Sequence, residues 1–231
     1  MPFSNVQHAL GFASPRAGIG KTTLIANVAV WLAARGHALA LLDADLGAPD
    51  ALGVLGARGD QVERNGIWQP LEAHGVRAFS LGAWIEQQGL AGVRGELLLQ
   101  RLAPLLDGGI DFGAVEFLLV DLAPGAEAQE LWLDALGLDA LVRVELEDDE
   151  SALEPSVPVL GRIECMVRAP LEDEGVRRAA ALGRVPFDPE LRALAGRGTP
   201  LVLAAPRSAA AQAIARIGAN LVKRVRSRLS D

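Results

Sequence analysis

Residues 8–34 read HALGFASPRAGIGKTTLIANVAVWLAA, and this stretch decides the fold. His8–Ala13 is a short, mostly apolar run, Ser14–Gly20 is a loop with glycine at 18 and 20, and Leu24–Ala34 is apolar nearly all round. The order is strand, glycine-containing loop, buried helix. A loop of this kind aims backbone N–H groups and the positive end of the helix at one point, which suits a phosphate. Glycine lets the backbone come close, Lys21 supplies a compact positive charge for the terminal phosphates, and the Thr22 hydroxyl is placed to ligate Mg²⁺. The candidate nucleotide-binding set is Gly18, Ile19, Gly20, Lys21, Thr22 and Thr23. The loop departs from G-x-x-x-x-G-K-[ST] at its first position, where Pro15 stands instead of glycine.

Outward from this stretch the pattern repeats. Gly36 stops the helix, and Ala38–Leu42 follows as a continuous apolar strand ending at Asp43. Further strands are expected at Val76–Leu81, Phe117–Val120, Ala140–Val144, Val157–Ile163 and Leu201–Leu203, and helices at Glu96–Leu106, Glu127–Leu136, Leu171–Leu182 and Ala209–Leu229. Strands alternating with helices predict an α/β fold with a mostly parallel central sheet covered by helices on both faces. We read residues 1–231 as one domain of the P-loop NTPase kind. Ligands of such sheets sit at the carboxyl ends of the strands. Asp121 ends one apolar run, in the manner of a Walker B carboxylate that orients magnesium's waters, and Asp43 and Asp45 end another. Mg²⁺ would offset their mutual repulsion. Singly, each also fits a strand-end cap; together, behind a phosphate loop, they point to Mg-nucleotide.

Composition narrows the function classes. A net charge of -7 argues against a dominant electrostatic grip on nucleic acid. Trp31, Trp68, Trp84 and Trp132 are not interleaved with basic residues, so they read as core or interface rather than as a base-stacking platform. The single Cys165 excludes an intramolecular disulfide and any metal or iron–sulfur site built from several cysteines of one chain. It fits a reducing cytoplasm and reads as a buried thiol. The amino terminus lacks a signal-peptide pattern and no window reaches the ~18 apolar residues of a membrane span, so a soluble cytoplasmic protein is expected. The helix at Ala209–Leu229 carries Lys223, Arg224, Arg226 and Arg228 near its end. Such a helix either covers a sheet, its cations suiting the helix dipole, or lies peripherally on a membrane. The acidic segment Glu147–Pro155 is short for a parallel crossover. It leaves a sheet face to be filled by a neighbouring element or offered to a partner.

The ordered blocks Gly18-Ile19-Gly20-Lys21-Thr22-Thr23, Leu41-Leu42-Asp43-Ala44-Asp45-Leu46-Gly47-Ala48-Pro49-Asp50, Phe117-Leu118-Leu119-Val120-Asp121-Leu122-Ala123-Pro124-Gly125, Pro158-Val159-Leu160-Gly161 and Gly183-Arg184-Val185-Pro186-Phe187-Asp188-Pro189-Glu190-Leu191-Arg192 resemble the deviant-Walker ATPases of the Mrp/MinD/ParA family. Within that class the chain is most like the Mrp group. The resemblance implies ATP and Mg²⁺ as ligands, with Lys21 and Thr22 on phosphate and metal, Asp43 supporting the metal, Asp45 positioning the attacking water and Asp121 as Walker B. Pro186 and Asp188 would lie near the adenine. The family's asparagine beside the base falls at Cys165, which cannot read an adenine edge as an amide does. The first lysine of the family loop, which reaches across an ATP-sandwich homodimer, is here Arg16. Arginine keeps the charge and adds a planar fork, which either serves as a trans-acting finger or is neutral drift. Ala17 replaces the next glycine, at a cost of about 1 kcal/mol if that backbone needs positive φ. The Cys-x-x-Cys of Mrp-type iron–sulfur carriers is absent after Cys165, where Val167-Arg168-Ala169-Pro170 follows.

The leading expectation is a Mg-ATP-dependent, slowly hydrolysing homodimeric switch acting on an unidentified protein partner. A nucleotide-binding scaffold with little hydrolysis is the alternative. A P-loop ligase or kinase acting on a small molecule shares the loop but leaves the later blocks unexplained.

Overall fold

The structure is a computed structural model, and it describes residues 3, 5–125, 132–133, 135–147, 149, 155–168 and 181–228. Its centre is a sheet of β1 (Val6–Ala13), β2 (Leu39–Ala44), β5 (Leu71–Ala73), β6 (Val76–Ser80), β7 (Val115–Leu122), β8 (Ala140–Glu145), β9 (Val159–Val167) and β10 (Ala181–Pro186). The strand order is β10-β9-β8-β1-β7-β2-β6-β5. All neighbours pair in parallel except β5, which runs antiparallel to β6 at the edge.

The apolar runs are continuous because alternate side chains enter two different cores. Leu10 and Phe12 of β1, Leu39 and Leu41 of β2, and Phe117 and Leu119 of β7 enter one core. Ala9, Leu42, Leu118 and Val120 enter the other. The first core is covered by α1 (Lys21–Ala33) and α7 (Ala209–Arg228), and the second by α3 (Leu81–Gln87) and α4 (Gly95–Leu106). Helix α1 is buried nearly all round because it lies under the sheet with α2 (Ala51–Leu55) and α7 packed on its other sides. Trp68, Trp84 and Trp132 lie in the second core, while Trp31 is only partly buried. Among the described residues no helix is long and apolar enough to cross a membrane.

Three sequence expectations need correction. Leu201–Leu203 is not a strand but part of α6 (Leu201–Ala204), which follows α5 (Pro189–Ala195). A short apolar run does not by itself separate strand from buried helix. Here Pro200 opens the turn, and the Asn27 carboxamide oxygen accepts from the Val202 N–H at 3.1 Å, satisfying a helix-start donor. Val76–Ser80 is a strand, but Leu81 begins α3, whose Ser80 cap accepts from Ala83 N–H at 3.2 Å. Ala181 and Leu182 belong to β10, while residues 171–180 of the expected helix at Leu171–Leu182 lie outside the described residues. So do 127–131 and 134 of the helix expected at Glu127–Leu136, residues 148 and 150–154 of the acidic crossover, and Leu229. A hairpin of β3 (Val62–Arg64) and β4 (Ile67–Gln69) was not anticipated, although its turn is Asn65-Gly66, both at positive φ, the strongest short hairpin signal.

Candidate functional site

Strand β1 ends at Ala13 and α1 begins at Lys21, so the intervening loop opens at the carboxyl edge of the sheet. Gly18 and Gly20 hold left-handed backbone at φ 79 and φ 88, a region in which a side chain is strained. Gly20 occupies the cap position of α1 and no side chain caps that helix. Its first N–H groups therefore lack a side-chain acceptor, and the helix dipole points at the loop. The strain anticipated at Ala17 does not arise, because Ala17 is not among the residues at positive φ. Alanine fits this loop without distortion.

Lys21 is buried and its ammonium donates to a carboxylate oxygen of Asp121. Asp121, the penultimate residue of β7, lies beside its register partner Asp43, the penultimate residue of β2. Burial pushes the Asp121 carboxyl up, against the opposing pull of Lys21 and of a hydrogen bond from Thr22. Its second oxygen, Oδ2, is buried with no hydrogen-bond partner. Asp43 accepts from the Asp45 N–H at 3.1 Å and the Ala51 N–H at 3.0 Å. Burial first, and the Asp121 charge second, raise the Asp43 carboxyl from 3.8 to about 7. Asp45 accepts from the Gly47 and Ala48 N–H groups at 3.1 and 3.2 Å, which fixes the loop after β2 and aligns the carboxylate. The structure thus gathers Lys21, Thr22, Asp43, Asp45 and Asp121 at one strand-end edge.

This gives a testable pH dependence. Between 3.8 and about 7 the folded protein holds a proton on Asp43 that the unfolded chain has lost. The unfolded state then binds fewer protons, so stability of the nucleotide-free protein falls as pH rises through that window. Asp43→Asn removes this contribution, which amounts to as much as ~4 kcal/mol at about 1.36 kcal/mol per pH unit. Denaturant melts across the window should show a shallower decline in the variant; parallel curves would contradict the assignment.

A buried, unpartnered Asp121 oxygen and an Asp43 carboxyl whose charge is disfavoured by its neighbours both suit a cation. Among the described residues, no group of three or more His, Cys, Asp or Glu side chains gathers to hold a metal. A magnesium here would depend on the Thr22 hydroxyl, water and phosphate oxygens to complete its shell.

On the other flank, Pro186 ends β10 and Asp188 caps α5, accepting from the Glu190 N–H at 2.9 Å. Cys165 lies in the first core rather than at the loop, and burial pushes its thiol up to about 12. Such a thiol is inert. A thiol reagent should label it only after unfolding; rapid labelling of the native protein would overturn that placement. The neighbouring Met166 sits at φ 56, is 39% exposed, and brings its methyl 3.8 Å from where a Cβ on Gly20 would stand. Phe187 is also exposed, with the Arg168 guanidinium 5.0 Å over its ring, and its N–H donates to Val167 O at 2.9 Å. The sequence assigns no role to Met166, the penultimate residue of β9, or to Phe187, just past β10; both are exposed apolar side chains at the carboxyl edge of the sheet, where ligands of such sheets sit.

Arg16 does not stand free. Its guanidinium pairs with Asp149, whose carboxylate also accepts from the Leu146 N–H at 2.9 Å. The loop arginine and the acidic crossover are one contact, which sequence separation concealed.

Residues 5–145 match the ParA family profile described as "NUBPL iron-transfer P-loop NTPase". The chain is 31% identical to the "Iron-sulfur cluster carrier protein" of Deinococcus radiodurans, over 95% of this chain and 70% of that protein. It is 27% identical to the "Iron-sulfur cluster transfer protein NUBPL" of Mus musculus, over 98% and 80% of the two chains. Among solved structures it resembles the septum site-determining protein MinD of Pyrococcus horikoshii complexed with Mg-ADP, with a TM-score of 0.67 and 19% identity over 91% of this chain and 94% of that one.

Proposed function

We propose that this chain, which belongs to the ParA family of P-loop NTPases, is a switch that binds Mg-ATP on the Ser14–Thr23 loop, pairs with a second copy of itself in that state, and presents a different surface to a protein partner once the nucleotide is hydrolysed. The observation that carries this reading is the buried Lys21–Asp121 pair beneath an uncapped α1 terminus, with Asp43 and Asp45 alongside. A buried ion pair with an unpartnered oxygen is a poor stabilising device, because desolvation offsets its attraction. It makes sense as a site awaiting anionic and cationic ligands together.

In this reading the N–H groups of residues 18–23 and the Lys21 ammonium hold the phosphates, Lys21 exchanging part of its contact with Asp121 for phosphate oxygen. Thr22, Asp43 and Asp121 would hold magnesium, directly or through its waters, and bound magnesium would neutralise charge developing on the terminal phosphate. Asp45 orients the attacking water and accepts its proton. Pro186 and Asp188 flank the base, with Met166 and Phe187 offering it apolar surface where Cys165 offers no amide. Base contact of that kind discriminates weakly between adenine and guanine.

Arg16 is the trans-acting finger, and Asp149 holds it in place until a phosphate on the second copy competes. Asp149→Asn should therefore favour the ATP-bound dimer by about threefold to tenfold, the worth of a partly exposed charge pair. Sedimentation across a protein titration would read the shift, and an unchanged dimerisation constant would count against Arg16 as the finger.

Iron–sulfur cargo is what the relatives' names describe. Within these residues the only thiol is Cys165, buried in the core, so we read this chain's client as something other than a cluster held on its own thiolates. Pro15 at the head of the loop and Arg16 tied down by Asp149 favour a second reading, a scaffold that binds nucleotide and barely turns over. Single-turnover hydrolysis of ATP with Mg²⁺ separates the two: one phosphate released per site supports the switch, and tight binding with no release supports the scaffold.

A further inference from the structure

At the far end of α1 from the phosphate loop lies a groove of about 420 Å³ between α1 and α7. Its floor is apolar, made by Trp31, Ala219 and Val222, and its rim is cationic, made by Arg35, Lys223 and Arg226. The floor is a built feature. Gly218 leaves room for the Trp31 ring, since a Cβ there would stand 2.6 Å from a ring carbon. The Arg35 guanidinium covers the ring at 3.6 Å from its centroid and donates to Trp31 O at 3.1 Å. The carboxylate at the edge, Glu116, is already engaged by His37 at 2.6 Å and by Arg226 at 3.7 Å. Among the described residues, Arg35 and Lys223 have no carboxylate partner. A cationic rim around an apolar floor is unexpected on a chain of net charge -7.

We infer that this groove docks an acidic segment of a partner protein, one apolar side chain seated on Ala219 and Val222 beside the Arg35-covered Trp31 ring and flanking carboxylates paired with Arg35 and Lys223. Charge complementarity selects the occupant: a basic or neutral segment gains nothing from the rim, while an acidic one gains both steering and paired carboxylates. The scarcity of protruding apolar side chains separates this from a membrane surface. A lipid-facing helix needs apolar side chains that protrude into the headgroup region. Among the described residues, the exposed large apolar side chains Val62, Ile67, Leu97, Val159, Met166, Phe187 and Leu203 all lie on elements other than α1 and α7. Helix α1 runs from the phosphate loop to Trp31, so a docked segment touches the helix that begins at that loop.

The test uses the full chain and a short fluorescein-labelled peptide of aspartate and glutamate around a central leucine–tryptophan pair, read by anisotropy. Saturable binding is expected, weakening about tenfold in the Arg35→Glu/Lys223→Glu variant and on raising salt beyond screening of the rim. Ala219→Trp, which fills the groove from an exposed position without altering charge, should weaken it similarly. Nucleotide affinity should be unchanged in all three proteins, so loss of peptide binding is distinguishable from failure of the switch. Absence of saturable binding, equal binding to the charge-reversed variant, or binding of phosphatidylglycerol vesicles through these residues in place of the peptide would overturn the inference.

Discussion

Lys21→Ala should abolish measurable Mg-ATP binding, a loss of at least about a hundredfold in affinity. Among the described residues the ammonium is the one buried cation of the site, and a charge-assisted contact to phosphate contributes roughly 1.5–3 kcal/mol even before its neighbours are considered. Removing it does further harm, because Asp121 is then left buried beside Asp43 with no cation, and repulsion toward the phosphates grows. The same loss destabilises the empty protein by about 3 kcal/mol or more. Folding and binding can be separated in one comparison. Lys21→Met combined with Asp121→Asn removes both charges, so thermal stability should return toward wild type while nucleotide binding stays absent. If the double variant bound Mg-ATP normally by calorimetry, the phosphate site would lie elsewhere.

Asp45→Ala should leave nucleotide affinity within about threefold of wild type and slow single-turnover hydrolysis by about a thousandfold, the usual scale for losing a positioned base. Geometry makes Asp45 suited to that role. Two backbone N–H donors, from Gly47 and Ala48, hold its Oδ1, and it stands one alternate position beyond Asp43 at the end of β2. Because alanine also releases the loop that follows, Asp45→Asn is the sharper probe. It keeps an acceptor for those N–H groups and removes only the charge. Equal loss in both variants assigns the effect to the carboxylate; activity restored by asparagine assigns it to loop geometry.

The readable part of this molecule was the part fixed by local chemistry. A strand, two left-handed glycines, a lysine and a helix give the phosphate loop from consecutive residues, and strand-end aspartates follow from unbroken apolar runs. What stayed hidden depends on contacts across the chain. Arg16 and Asp149 are far apart in sequence yet paired, and no pattern of spacing marks that. Leu201–Leu203 has the composition of a strand and becomes helical because Asn27, from a distant helix, supplies the acceptor its N–H needs. Met166 is turned toward the loop by a left-handed backbone that methionine does not advertise. The anticipated cost at Ala17 was conditional on a positive φ that the loop does not use. Ala17 therefore costs the loop no backbone strain, and Arg16 ties that loop to the acidic crossover.

The switch itself is tested most directly by the mass of the Asp45→Ala protein in solution, measured by light scattering in buffer alone, with Mg-ADP and with Mg-ATP. A monomer is expected in the first two conditions and a dimer with Mg-ATP, reverting when Lys21→Ala is added. A monomer under saturating Mg-ATP would contradict it.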